Sequence, residues 1–298
     1  MQKKLAPYYQ TDKGRAYLAD ALDVLPTIKS ESIDLILFSP PFALTRKKEY
    51  GNVAEDQYVN WFLSFVPEFH RVLKPKGSLV MDIGGTWMSG KPIRSLYQYQ
   101  LLVSLCTVKE YPFYLAQDFF WYNTAKLPTP AEWVTVRRIR VKDAVNFVWW
   151  LSKDPFPKAD NKKVLKPYSE SMMSLLKNGY KAKLRPSGHD ISTKFSKNNN
   201  GAIPPNILQI ANTESNSSYL RQCRENGMRP HPARFPATLP EFFIKMLTDE
   251  GDIVLDPFAG SNVTGEVAEK LDRKWIAIDL IEDYVKSSMY RFNGKVKK

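Results

Sequence analysis

Asp256 and Asp279 each close a short apolar run, Ile253-Val254-Leu255 and Trp275-Ile276-Ala277-Ile278, and they stand 23 positions apart. That interval holds one small-residue turn, Pro257-Phe258-Ala259-Gly260-Ser261, and one helix from Val263 to about Leu271. Two buried strands joined by a helix return to the same end of a sheet, so they run parallel. The first part of the chain repeats the plan. Ile33–Phe38 is a nearly continuous apolar strand, interrupted only by Asp34 and cut off by Ser39-Pro40-Pro41-Phe42. Between Asp56 and Leu73, residues Tyr58, Trp61, Phe62, Phe65, Phe69 and Val72 recur at helical spacing, with Pro67 placed to kink the helix. Lys74-Pro75-Lys76-Gly77 stops it, and Ser78–Ile83 is the next strand. The expected fold is α/β, a Rossmann-like and mostly parallel sheet flanked by helices. Further helices are expected over 94–109, after Pro236 to Leu247, and over 281–292, with strands over 115–122 and 144–151.

Composition enters through what it excludes. No apolar run approaches the roughly 18–20 residues of a membrane helix, and the first residues lack a secretory apolar core. Cys106 and Cys223 cannot make a disulfide framework, and no ligand spacing predicts a metal site, so a reducing cytoplasm is the expected compartment. The formal charge of +12 points to a polyanionic partner. Residues 153–229 carry 14 Lys/Arg against 6 Asp/Glu, a net of +8, in a stretch rich in Pro, Ser and Asn. This reads as a loop-rich basic insert between two regular parts, 1–152 and 230–298.

Two places carry chemistry. At the carboxyl ends of parallel strands, a tight small-residue turn lets backbone approach a ligand, and an acid ending the next strand suits ribose hydroxyls. The turn lacks both the dinucleotide glycine pattern and the P-loop Gly-Lys-Ser/Thr, so no pyrophosphate cradle is present. A nucleoside without phosphates, such as S-adenosyl-L-methionine, fits. The second place is Ser39-Pro40-Pro41-Phe42. Prolines remove N–H donors and leave bare carbonyl acceptors, Ser39 adds a hydroxyl, and Phe42 adds a flat stacking face. Acceptors beside an aromatic plane make a socket for the amino group of a nucleobase.

Together with Trp61-Phe62-Leu63-Ser64-Phe65, Ile203-Pro204-Pro205-Asn206 and His231-Pro232-Ala233-Arg234-Phe235-Pro236, these motifs make the chain resemble the amino-group DNA methyltransferases of the circularly permuted β class, in their cytosine-N4 branch. The resemblance covers nearly the whole chain. It implies a catalytic half over 1–152, a target-recognition insert over 153–229 and a cofactor half over 230–298. It implies that Ser39, Pro40, Pro41 and Phe42 form the catalytic tetrapeptide, with Ser39 and Pro40 also reaching the cofactor. Asp256, Pro257, Phe258, Ala259, Gly260 and Ser261 become the methionine-side turn, Asp279 the ribose acid and Asp20 the acid near the adenine. His231, Phe235 and Pro236 pack around the methionine moiety. Asn262 stands where relatives often have glycine, and asparagine tolerates the left-handed backbone such a turn needs.

Duplex DNA is the implied partner, contacted through Arg46, Lys47, Lys48, Lys162, Lys163, Lys166, Arg185, His189 and Lys194. A cognate restriction endonuclease would work beside the protein without a stable complex, and a short palindrome such as CAGCTG is an expected site. Asp82, ending the strand after the tetrapeptide strand, is a further catalytic candidate and a neighbour for the Ser39 proton. Tyr122 and Asn123 are weaker pocket-wall candidates. His70 is expected on a helix surface, and Trp149 and Trp150 in the sheet core. Neither cysteine follows proline, which disfavours covalent attack on carbon 5 of the ring. Adenine-N6 methylation stays open as an alternative, as does a non-catalytic DNA-binding protein with this fold.

Overall fold

The computed structural model describes residues 5–43, 53–179, 197–212, 217–292 and 294–297. The strands are β1 (Tyr9–Gln10), β2 (Gly14–Leu18), β3 (Ile33–Phe38), β4 (Leu73–Ile83), β5 (Tyr114–Tyr122), β6 (Val145–Ser152), β7 (Ile207–Gln209), β8 (Ile253–Asp256) and β9 (Lys274–Asp279). They form one sheet in the order β1-β2-β9-β8-β3-β4-β6-β5-β7. From β2 through β4 every neighbour is parallel, as the apolar runs and their crossovers required. β4, β6 and β5 pair antiparallel, so β5 runs in the same direction as β4 and ends at the same edge of the sheet.

The helices are α1 (Ala21–Val24), α2 (Glu55–Leu63), α3 (Val66–Val72), α4 (Tyr97–Thr107), α5 (Glu170–Asn178), α6 (Ser218–Glu225), α7 (Thr238–Leu247), α8 (Val263–Lys270) and α9 (Glu282–Ser288). The single helix expected over 56–73 is two helices. Pro67 cannot donate to the turn before it but is at home in a first helical turn, so the chain breaks near Ser64 and restarts as α3. β4 begins at Leu73 rather than Ser78. Leu73 pairs with Ile33 and Ser78 with Leu35, so the residues between bulge from the ladder, where Pro75 owes no hydrogen bond. Every residue of β3 is buried. Phe38 packs within 6.1 Å, ring centre to ring centre, of Phe62, Phe69 and Phe258, which ties α2, α3 and the β8 turn to one apolar centre. Trp149 is core as expected, whereas Trp150 is only partly buried and donates its indole N–H to Ser78. None of the described helices is long and apolar enough to cross a membrane.

The chain divides into two compact units, Met1–Ala159 with Asn206–Lys298, and Asp160–Pro205. The second is shorter than the insert expected over 153–229. β6 continues to the buried Ser152, and Lys158 pairs with Asp249 and Asp252, so the first residues of the expected insert belong to the sheet unit. At the other end, Ile207–Gln209 joins the sheet beside β5, and α6 seats Tyr219 and Cys223 against Met228 and Tyr290. Within the second unit, Ser169 caps α5 and Lys166 pairs with Ala202. Lys162, Lys163 and Lys166 are exposed there, as a solvated basic face requires.

Candidate active site

β3 and β4 end side by side, with Phe38 opposite Met81, so Ser39 leaves its strand next to Asp82. The Ser39 hydroxyl donates to Asp82 Oδ2 at 3.1 Å, and the Asn146 amide donates to Oδ1 at 3.1 Å. Asp82 is opposite Val148 on β6, and Asn146 is two residues from Val148, so all three share one face. The Asp82 carboxyl is 4% exposed. Burial pushes its pKa up to about 6, and the two hydrogen bonds only partly oppose that. The predicted neighbour of the Ser39 proton is therefore in place.

The rest of the tetrapeptide is held by the segment after β4. The Phe42 ring lies against Gly84, where an added Cβ would sit 2.6 Å from it, so only glycine leaves room. The Tyr97 hydroxyl donates to the Gly84 carbonyl and lies close to the Ala43 backbone. Tyr97 thus brings the far end of the tetrapeptide beside the segment that follows β4.

The neighbouring strands β8, β9 and β2 end in Asp256, Asp279 and, two residues past β2, Asp20. Asp256 Oδ1 accepts from the Phe258 amide at 3.0 Å and Oδ2 from the Thr264 hydroxyl at 2.7 Å. It is 3% exposed, and burial, with Asp279 close by, pushes its pKa up to about 7. Asp279 accepts from the Gly260 amide at 2.7 Å and the Ile281 amide at 2.9 Å, and burial raises its pKa as well. Gly260 has φ +51°, and a Cβ there would come within 3.0 Å of the His231 ring. Asn262 has φ +56°, the left-handed backbone expected of it, and caps α8 by accepting from Gly265. Asp20 caps α1 by accepting from Leu22.

Ser261 is turned inward. Its carbonyl and hydroxyl accept from the buried Arg291 at 2.6 and 3.0 Å, and Arg291 also pairs with Glu266 and lies over the Tyr219 ring. The Tyr219 hydroxyl accepts from the His231 amide at 3.1 Å, and the His231 ring meets Tyr284 edge-on. Phe235 lines a small gap together with Phe38, Val80, Asp82, Val148 and Phe243, so the His231–Pro236 segment reaches the Asp82 side chain. Pro236 and Pro257 are buried, and Phe258 and Ala259 are partly exposed.

The remaining expectations divide. Arg46, Lys47, Lys48, Arg185, His189 and Lys194 lie outside the described residues. Asn123 orders a loop by accepting from Ala125 and Asn212. His70 is half-buried against Tyr111 and Phe113, not simply on a helix surface. Asn146, Thr264, Tyr97 and Arg291 are not singled out by sequence reasoning. Their roles depend on which strand lies beside which, and no local motif records that.

A family described as DNA methylase matches residues 33–290. The chain is 53% identical over 289 residues to the type II methyltransferase M.PvuII of Proteus hauseri, spanning 96% of this chain and 85% of that one. It is 27% identical to M.HpaI of Haemophilus parainfluenzae, over 94% and 76% of the two chains. The solved structure of the cytosine-N4-specific PvuII DNA methyltransferase superposes with a TM-score of 0.79 at 47% identity, over 97% of this chain and 89% of that chain. TTHA0409 of Thermus thermophilus, complexed with S-adenosyl-L-methionine, shares the fold at 18% identity and a TM-score of 0.58, over 94% and 93%.

Proposed function

The chain belongs to the DNA methylase family, and on that premise we propose that it methylates the exocyclic N4 of cytosine in duplex DNA, with S-adenosyl-L-methionine as donor. The observation that carries this reading is the Ser39–Asp82–Asn146 relay beside the Asp256–Ser261 turn. The residues present fit the donor. Three carboxylates at adjacent strand ends suit a ligand with ribose hydroxyls and positive charge, and Gly260 keeps backbone open where any side chain would strike His231. Asp279 and Asp20 would hold the nucleoside. Asp256 would act through the shape of the turn, since it is buried with its partners Phe258 and Thr264 inside the turn, whereas Asp279 is partly exposed. When bound, the cofactor supplies a methyl group on a sulfonium, which an amine can attack directly.

The chain's own part is to make the amine reactive and to take its surplus proton. The cytosine N4 lone pair is conjugated into the ring, and acceptors on its hydrogens favour a more pyramidal nitrogen. Ser39, with its proton committed to Asp82, turns lone pairs outward as such an acceptor. Methylation leaves the nitrogen one proton in excess. Ser39 Oγ takes it while its own proton passes to Asp82, whose pKa near 6 suits receiving a proton near neutral pH. Phe42 offers a face to the base, which must leave the duplex to reach this pocket. Placement and fixed dipoles supply the acceleration.

The proposal includes a bacterial cytoplasmic setting, a cognate endonuclease acting independently, and a palindromic site for which CAGCTG is the first candidate. Methylated DNA digested to nucleosides and resolved by mass spectrometry should yield N4-methylcytosine. N6-methyladenine would overturn the substrate, and 5-methylcytosine the mechanism.

A further inference from the structure

The segment 124–143 joins β5 to β6 and leaves the sheet at the edge where Ser39 and Asp82 sit. It carries five Lys/Arg against two Asp/Glu, a net of +3. It is also apolar where it meets water: Leu127 is 74% exposed, Val136 69%, Ile139 59% and Val141 86%. Single exposed apolar residues are ordinary, but four within one short basic segment beside a catalytic edge are not.

The segment is built, not loose. Arg94 and Arg140 both stand over Trp87 and both pair with Asp143, which pins its return to β6. The Val134 amide donates to Pro130 and the Arg140 amide to Trp133, which folds its middle into a wide turn. Arg137 is engaged by Glu132 and by the Trp133 ring. Arg138 is different. It is exposed, sits at φ +53°, and has no side-chain partner among the described residues. A non-glycine residue in that region is strained, and such strain is kept where the surroundings require it. Lys126 is near enough to lower the Asp82 pKa, so the base of the segment shares the field of the catalytic carboxylate.

We propose that this arm enters the duplex beside the target base: Val136, Ile139 and Val141 fill the gap left by the everted cytosine, and Arg138 holds a flanking phosphate. The inference rests on the reading of the chain as a base-everting DNA methyltransferase. Eversion unstacks two base steps, and an apolar wedge covers the exposed base faces without any sequence preference. A basic segment with an apolar tip matches the chemistry of that gap, with anionic walls and an apolar interior. Neither a solvated face nor a core element accounts for both properties.

The test uses the full chain. V136S/I139S/V141S changes only exposed positions. On a matched duplex its turnover should fall about tenfold or more, because eversion loses its support. On the same duplex with an abasic site opposite the target cytosine, turnover should return to within about threefold of the wild type, since that base is already unpaired. Full turnover on the matched duplex, or equal loss on both duplexes, overturns the proposal. R138A, titrated at several salt concentrations with the duplex carrying the abasic site opposite the target cytosine, should lose about 0.9 from the slope of log K against log salt. An unchanged slope overturns the phosphate assignment and the proposal with it. The slope is independent of turnover. If the wild type makes no methylated cytosine, the functional reading and the gap-filling role fail together, while the slope still decides the Arg138 phosphate contact.

Discussion

The turn after β8 and the arm after β5 leave the same sheet and are built on opposite terms. In the turn, polar atoms are committed inward: Asp256 to Phe258 and Thr264, Asp279 to Gly260 and Ile281, Ser261 to Arg291. In the arm, the base is pinned while apolar side chains and Arg138 face water. A ligand of fixed shape rewards a finished cradle, because disorder left in the site is lost again on each binding event. A duplex that must be opened rewards exposed groups whose partner appears only during the opening. Substitutions in the turn should therefore cost stability and cofactor affinity together, and those in the arm should cost DNA handling alone.

The largest effect is expected between the two regions. We predict that Ser39→Ala lowers turnover about 100-fold or more, as loss of one aimed polar group does in preorganised sites. S-Adenosyl-L-methionine affinity, measured by calorimetry, should stay within a few-fold. A large loss of affinity would move Ser39 into the cofactor cradle. Next, Asp256→Ala leaves the Thr264 hydroxyl and the Phe258 amide unpaired in a buried turn, which should cost about 2–4 kcal/mol in urea unfolding and weaken the cofactor as well. Asp279→Ala should weaken the cofactor in the same direction. An Asp256→Ala protein of unchanged stability would make the turn no different from the arm.

The pH dependence sharpens the contrast. Asp82 and Asp256 bind protons more tightly folded than unfolded, with pKa values raised to about 6 and about 7. Their stabilising share is complete below about pH 4 and is lost as pH rises through those values, on the order of a few kcal/mol. Urea midpoints should fall between pH 4 and 8, and Asp256→Asn should remove the upper part of that fall. Turnover should run the other way, dropping below about pH 6 as Asp82 takes up its proton. The smallest effects belong to exposed residues. V136S/I139S/V141S should shift stability by no more than about 0.5 kcal/mol. Neutralising Lys162, Lys163 and Lys166 together should flatten the salt slope of DNA binding by about 0.9 for each that meets a phosphate. An unaltered slope makes that unit a solvated face.

What can be read in the sequence follows from how local each signal is. β3, β8 and β9 announce themselves as apolar runs, and the acids that end them need only the rule that parallel strands present their carboxyl ends to a ligand. Pro67 is legible as a disturbance, though a full break also depends on what α3 packs against. Asn146 is not legible, because its meaning comes from the β4–β6 register, fixed across residues far apart in the chain. Arg291 is hidden in the same way, as one cation in a helical segment whose partner is a turn 30 positions earlier. The arm escapes for another reason. Val134–Lys142 mixes apolar and basic residues with no helical or strand period, and periodicity is the signal that sequence reading relies on.

The adjacency of β2 and β9 bears on how the molecule comes to exist. Gly14 pairs with Trp275 and Leu18 with Asp279, and the Gln10 amide and carbonyl both bond to Lys297. Strands placed this far apart in sequence meet only after almost all the intervening chain has been made, and such distant pairings form slowly. During synthesis, the hydrogen-bonded pair Ser39 and Asp82 can settle while β2 still waits with an unpaired edge. Asp20, which would hold the adenine, is carried on that waiting strand. The protein should therefore pair Ser39 with Asp82 early and gain its cofactor site last, so a nascent chain stalled before Lys274 should bind no S-adenosyl-L-methionine, and release should switch binding on in a single late step.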